Sequence, residues 1–180
     1  MGRSKKLVIL LSEKSLFNFC KSEGMLMSSY FFENGLHGEN AHVDPLEVFE
    51  GLRWEMAGEK PSNCPYSVWQ ILNHMIFWQD FYLAYLKGRV PNHPEHDEDS
   101  WPDKTAPSYK TEWSDTLFLF SKGLKEAENE AKKDLKELKD AGLKRTRGDL
   151  LATLMAHNSY HTGQVALIRQ LIGEWPPPSW

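Results

Sequence analysis

Cysteine is scarce in this chain. Cys20 and Cys64 are the only two, too few for a disulfide framework, so a reducing cytoplasm is the default compartment. A basic excess is also missing: 21 Lys and Arg stand against 25 Asp and Glu, a formal charge of −4 at pH 7. Without a dominant basic face, nucleic-acid binding is excluded as the main role. No run approaches the roughly 20 apolar residues that a bilayer span requires, so no membrane partner is expected. Arg3, Lys5 and Lys6 precede only Leu7-Val8-Ile9-Leu10-Leu11. That run is short for a signal peptide, and no small-residue cleavage site follows it. Strand-like alternation is absent, and so are internal repeats, a phosphate-binding glycine loop and the GxSxG and HExxH patterns.

What the chain has in quantity is aromatic side chains. Aromatics make up 12% of its 180 residues, including seven tryptophans, against 41% hydrophobic and 26% charged residues overall. That composition is globular, with large side chains to fill a core or line a pocket. The length favours one domain. Residues 1–42 read as an N-terminal extension, with a short amphipathic helix over 5–21, a functional start at Met25 or Met27 and a polar linker over 28–42. The domain proper is read as 43–180.

Within it, Asp44-Pro45 predicts a helix start, followed by Leu46, Phe49, Leu52 and Met56 at helical spacing and Gly58 as the stop. Ser67 predicts the cap of a second helix ending near Gly88, with an apolar stripe through Val68, Ile71, His74, Met75, Trp78, Phe81 and Tyr85. Residues 89–110 are rich in proline, histidine and acid and carry no period, which predicts a long crossover loop. His93 and His96 there lie among acidic residues and read as part of a solvated loop. A third helix is expected from about Thr111 to Ala141, on the stripe Leu117, Phe120, Leu124, Ala127, Ala131, Leu135 and Leu138. Thr146 caps a fourth, which runs to Ile172. The proline-rich tail cannot continue that helix, and Trp175 and Trp180 are placed to fold back. Together these segments specify an all-α protein, an antiparallel four-helix bundle with a long crossover between helices 2 and 3.

Three histidines fall on inward stripes: His74 on the second helix, His157 and His161 on the fourth. An imidazole without a partner in an apolar core costs roughly 1–3 kcal/mol. Two at i and i+4 leave one helical face a turn apart and can reach one ion. A third on a neighbouring helix makes a three-nitrogen site with an open position, suited to zinc, nickel, iron, cobalt or manganese. The open position can carry water of lowered pKa or a substrate thiolate. Gln164 lies on the same face one turn beyond His161, and Tyr160 is close in sequence; both are candidates for a supporting role. Gly163 is read as allowing close helix approach. Cys64, between prolines and without a basic partner in sequence, is a poor nucleophile candidate.

Leu72-Asn-His74-Met-Ile-Phe-Trp78 and His157-Asn-Ser-Tyr-His161-Thr-Gly-Gln164, with Pro65-Tyr-Ser-Val-Trp-Gln70 before them, resemble the DinB-like (DinB/YfiT-like) family over roughly residues 45–175. The resemblance implies a four-helix bundle of unusual connectivity in which the three histidines bind nickel or zinc, commonly as a homodimer. It also implies a small-molecule substrate. Members include thiol S-transferases that use bacillithiol, mycothiol or glutathione, others called hydrolases or isomerases, and others without a known activity. The expected function is therefore a metal-dependent enzyme, foremost an S-transferase using a low-molecular-weight thiol. The alternatives are a metal-dependent hydrolase and a non-catalytic, stress-related metal-binding bundle.

Overall fold

The computed structural model describes residues 29–39 and 41–179. The helix expected over 5–21, the suggested start at Met25 or Met27, and Trp180 lie outside the described residues. Four helical segments form the body: α1 over residues 29–35, α2 Val68–Leu86, α3 Lys110–Ala131 and α4 Arg147–Leu171.

Local chemistry sets both ends of α2. Ser67 accepts from the backbone N–H of Gln70 while the Gln70 side chain accepts from the Ser67 N–H, a reciprocal cap worth about 1 kcal/mol. Gly88, at φ 77°, follows its last turn. α4 opens on the same device, made by Thr146 and Asp149. Both caps stand where the sequence places them.

The direction of each helix follows from its contacts. Trp69 near the start of α2 meets Trp113 near the start of α3, with ring centroids 6.3 Å apart. Further along, the Gln79 side chain donates to the Phe120 carbonyl at 3.1 Å, and Lys87 pairs with Glu126. α2 and α3 are therefore parallel. α4 runs against both: its early residue Arg147 pairs with Glu130 at the end of α3, and its middle meets His74 and Trp78 of α2. Antiparallel neighbours need only a tight turn, whereas parallel ones need a connection that travels back the length of the helix. Residues 87–109 make that return, and they form the expected crossover.

Two apolar clusters fill the bundle. One joins Phe49, Trp69, Leu72, Met75, Trp113, Phe120 and Val165, and the other joins Phe32, Leu36, Phe81, Leu86, Leu150, Leu151 and Leu154. Gly123 lets α3 close on α2, because a methyl there would collide with the Gln79 amide.

The structure corrects the sequence reading in four places. Residues 28–42 are not all linker: 29–35 are helical, and Phe32 and Leu36 are buried in the core. The helix expected over 44–58 is two short 3-10 turns, Glu47–Phe49 and Trp54–Met56. Gly51, at φ 71°, separates them. The carbonyls of Val48 and Glu50 are taken by the buried Arg169 guanidinium at 2.6 and 3.0 Å, so the backbone is satisfied without a helix. α3 stops at Ala131, and a hairpin of Leu138–Asp140 (β1) with Arg145–Thr146 (β2) replaces its expected last turns. Asp134 and Asp140 accept backbone N–H groups two residues on, at 3.0 and 3.1 Å, and turn the chain. Finally, among the described residues nothing approaches Gly163, so it mediates no approach between these helices.

Because Leu36 is only 1% exposed, Leu36→Ala should cost about 2–5 kcal/mol of unfolding free energy. Chemical denaturation checks this, and a change below 1 kcal/mol would mean that α1 is not part of the cooperative core.

Candidate metal centre

His74, His157 and His161 come together between α2 and α4. One nitrogen of each lies within 4.8 Å of those of the others. Among the described residues this is the only group of three or more histidines, cysteines or acids placed to hold a metal ion. His93 of the crossover instead bonds the Tyr85 hydroxyl at 3.0 Å.

Hydrogen bonds determine which nitrogens face inward. His74 Nδ1 lies 3.0 Å from Ser100 Oγ and 3.3 Å from the Ser100 carbonyl. The hydroxyl itself donates to the Asp97 carbonyl at 2.7 Å. Nδ1 therefore carries the proton, and Nε2 keeps its lone pair. His161 Nδ1 donates in the same way to Gln164 Oε1 at 2.7 Å, and the Gln164 amide donates on to the Tyr160 hydroxyl at 3.2 Å. Among the described residues His157 Nδ1 makes no hydrogen bond of normal geometry; the fully buried Asn158 lies beside it, and its side chain opposes the lowering of the His157 pKa.

The Nε2 atoms of His74 and His157 are 3.3 Å apart. Two nitrogens bound about 2.0–2.1 Å from one tetrahedral ion lie about that far from each other. The donor set and the spacing fit a divalent ion.

Trp101 of the crossover lies flat on His74, 3.8 Å between centroids and 7° between planes. Tyr66 stacks on its other face at 3.5 Å and 4°. The crossover thus covers the site with a three-ring stack ending on His74. The loop is pinned from below by the cap of α2: Ser67 donates to the Thr105 carbonyl at 2.5 Å and the Gln70 amide to Pro102 at 3.1 Å.

Burial keeps the three imidazoles neutral. It pushes His74 down to about 4, helped by the neighbouring His161, and His157 down to about 3, helped by both other rings. Burial also lowers His161, against the hydrogen bond to Gln164. Neutral imidazoles at pH 7 present lone pairs without a proton to displace.

A family model described as the DinB superfamily matches residues 40–165. The chain belongs to the DinB superfamily. No curated protein and no solved structure matches significantly. The matched span holds all three histidines, Trp101 and Gln164. α1, with core residue Phe32, and Leu36 just after it lie outside it.

Sequence reasoning brought the three histidines and Gln164 to one place, and the structure shows them adjacent. Tyr160 is 65% exposed and reaches the cluster only through Gln164. Ser100 was missed, because it sits in an aperiodic acidic stretch with no pattern to single it out. His161 stands on the buried stripe of α4 with Leu154, Asn158, Thr162 and Val165, and His157 stands half-buried at its edge.

A sign follows for the pH dependence of the metal-free protein. The unfolded chain binds protons on His74 and His157 below about pH 6.5, and the folded chain refuses them until about 4 and 3. Stability contributed by these residues is therefore full above pH 6.5 and falls as pH drops, by about 2 kcal/mol per histidine at pH 5. Denaturant midpoints of the chelated protein at pH 7.5 and 5.0 test this. His157→Gln should reduce the difference by about 2 kcal/mol; an unchanged difference would show that the ring titrates freely in the fold.

Proposed function

We propose that His74, His157 and His161 hold one divalent ion, nickel or zinc, and that the protein is a metal-dependent S-transferase joining a low-molecular-weight thiol to a small electrophile. The observation that carries this reading is a convergent three-imidazole group with no carboxylate in it. The bound ion would supply Lewis acidity that lowers the pKa of a thiol at its open position. The thiol's proton leaves to solvent, so the attack on the electrophile needs no protein base. Hydrolysis, by contrast, calls for a base beside the water.

The protein's own residues have separable tasks in this scheme. Ser100 and Gln164 hold the Nδ1 protons of two rings and so aim their Nε2 lone pairs. Trp101 fixes the plane of His74 and closes water away from one side of the site. Tyr160 steadies Gln164.

Elemental analysis and a thiol-conjugation assay test the proposal together. Protein loaded with nickel or zinc should consume 1-chloro-2,4-dinitrobenzene only when a thiol is present. His161→Ala should lose both the metal and the turnover, and Gln164→Leu should weaken metal binding about 10–100-fold. Full metal occupancy in His161→Ala would sink the ligand assignment. Ester hydrolysis that is metal-dependent and indifferent to thiol would replace transfer by hydrolysis.

A further inference from the structure

Beside Gln164, the hydrogen-bond partner of His161, is a cavity of about 160 Å³ that the proposed function has not used. Ile71 of α2 and Ile168 of α4, 2% and 4% exposed, form its floor. Cys64, Pro65 and Tyr66 form one wall, and Leu167, 54% exposed, stands at the mouth. The wall is presented by a turn in which the Cys64 N–H donates to the Pro61 carbonyl at 3.0 Å. Asn63 takes the left-handed position of that turn at φ 70°, a conformation asparagine tolerates better than most side chains.

Three features of the lining decide what it can hold. Among the described residues no charged side chain lines it, and burying an uncompensated charge there would be costly. The amide of Gln164, which also lines it, is occupied on both sides, accepting from His161 and donating to Tyr160. The volume is close to that of apolar cavities, about 150 Å³, that hold a single benzene ring. The fit is for one uncharged, ring-sized apolar group.

Its position gives that group a purpose. Tyr66 in the wall is the outer ring of the stack that ends on His74, and Gln164 in the lining holds His161. The cavity thus touches the supports of two of the three imidazoles.

We propose that this cavity is the subsite for the apolar part of the electrophile, so that the substrates are small, uncharged molecules carrying one phenyl-sized or branched aliphatic group. The reaction assigned to such substrates rests on the transferase reading; occupation of the cavity does not. In the transfer, the thiolate sulfur attacks the electrophilic carbon, the new C–S bond forms, and the bond to the leaving group breaks with its electron pair.

The thiol of Cys64 reports occupancy directly, because a ligand in the cavity lies against it. Alkylation of the intact protein by iodoacetamide, followed by peptide mapping, gives separate rates for Cys64 and Cys20. Benzyl alcohol at ten times its dissociation constant should slow Cys64 about tenfold. Benzoate at the same concentration should not protect Cys64. Leu167→Trp, which narrows the mouth, should abolish the protection by benzyl alcohol. Chelated protein should behave as loaded protein does, because no lining residue is one of the three histidines. Metal content of the same samples reports on the metal centre separately.

No protection of Cys64 by benzyl alcohol, equal protection by benzoate, or protection that survives Leu167→Trp would each overturn the proposal. Thiol conjugation of benzyl chloride should then exceed that of 4-(chloromethyl)benzoate in kcat/KM about tenfold or more, the discrimination expected of an apolar pocket against a charge. Protection without turnover on either chloride would keep the cavity as a ligand site and remove the reaction.

Discussion

Three imidazoles turned towards one another, two buried and one half-buried, are an unfavourable thing to build into a bundle, and much of the structure is arranged around that cost. Each ring carries a donor and an acceptor that water would otherwise satisfy. Two donors are matched, one by Ser100 of the crossover and one by Gln164 a turn further along α4. The remaining nitrogens face one another, with Nε2 of His74 and of His157 at hydrogen-bond distance, which is tolerable only while the rings stay neutral, and burial keeps them so. A site of this kind is poised: the burial that opposes protonation, helped by the neighbouring rings, is what keeps the lone pairs free for an ion.

The crossover is what ties this site to the rest of the molecule. Its route begins at the end of α2 and finishes at the start of α3, passing over the early turns of α2 on the way. Ser67 and Gln70 therefore do two jobs, capping the helix that bears His74 and holding the loop that bears Ser100 and Trp101. The ring stack Tyr66–Trp101–His74 then converts the position of a loop into the orientation of a histidine.

How far the sequence predicted these arrangements depended on whether the forces involved were local. The caps of α2 and α4 are local, a serine or threonine answered three residues later, and they were legible. The histidine pair at i and i+4 was legible for the same reason. Residues 44–58 were misread because helical spacing of apolar side chains says what is buried, not what the backbone does. Arg169, more than a hundred residues away, takes the carbonyls that a helix would have used. The end of α3 was misread because Asp134 and Asp140 turn the chain through their own side chains while Leu135 and Leu138 keep up the helical rhythm. Ser100 was invisible because its role exists only once the loop has folded back onto His74. α1 was missed because two buried residues, Phe32 and Leu36, are too few to stand out from polar neighbours.

The parallel course of α2 and α3 has a consequence in contour length. Nineteen residues of α2 span about 28 Å, which is all the connection must cover. Residues 87–109, drawn out, would reach about 75 Å. More than half of that chain is slack with respect to topology. The slack is spent on the short 3-10 turn of Asp97–Ser100 and on laying Trp101 over the histidines. Insertions or exchanges within this surplus would leave the helix register untouched and alter only what stands over the site. The fold can therefore vary the chemistry it admits by re-cutting one loop, with the three histidines held where they are.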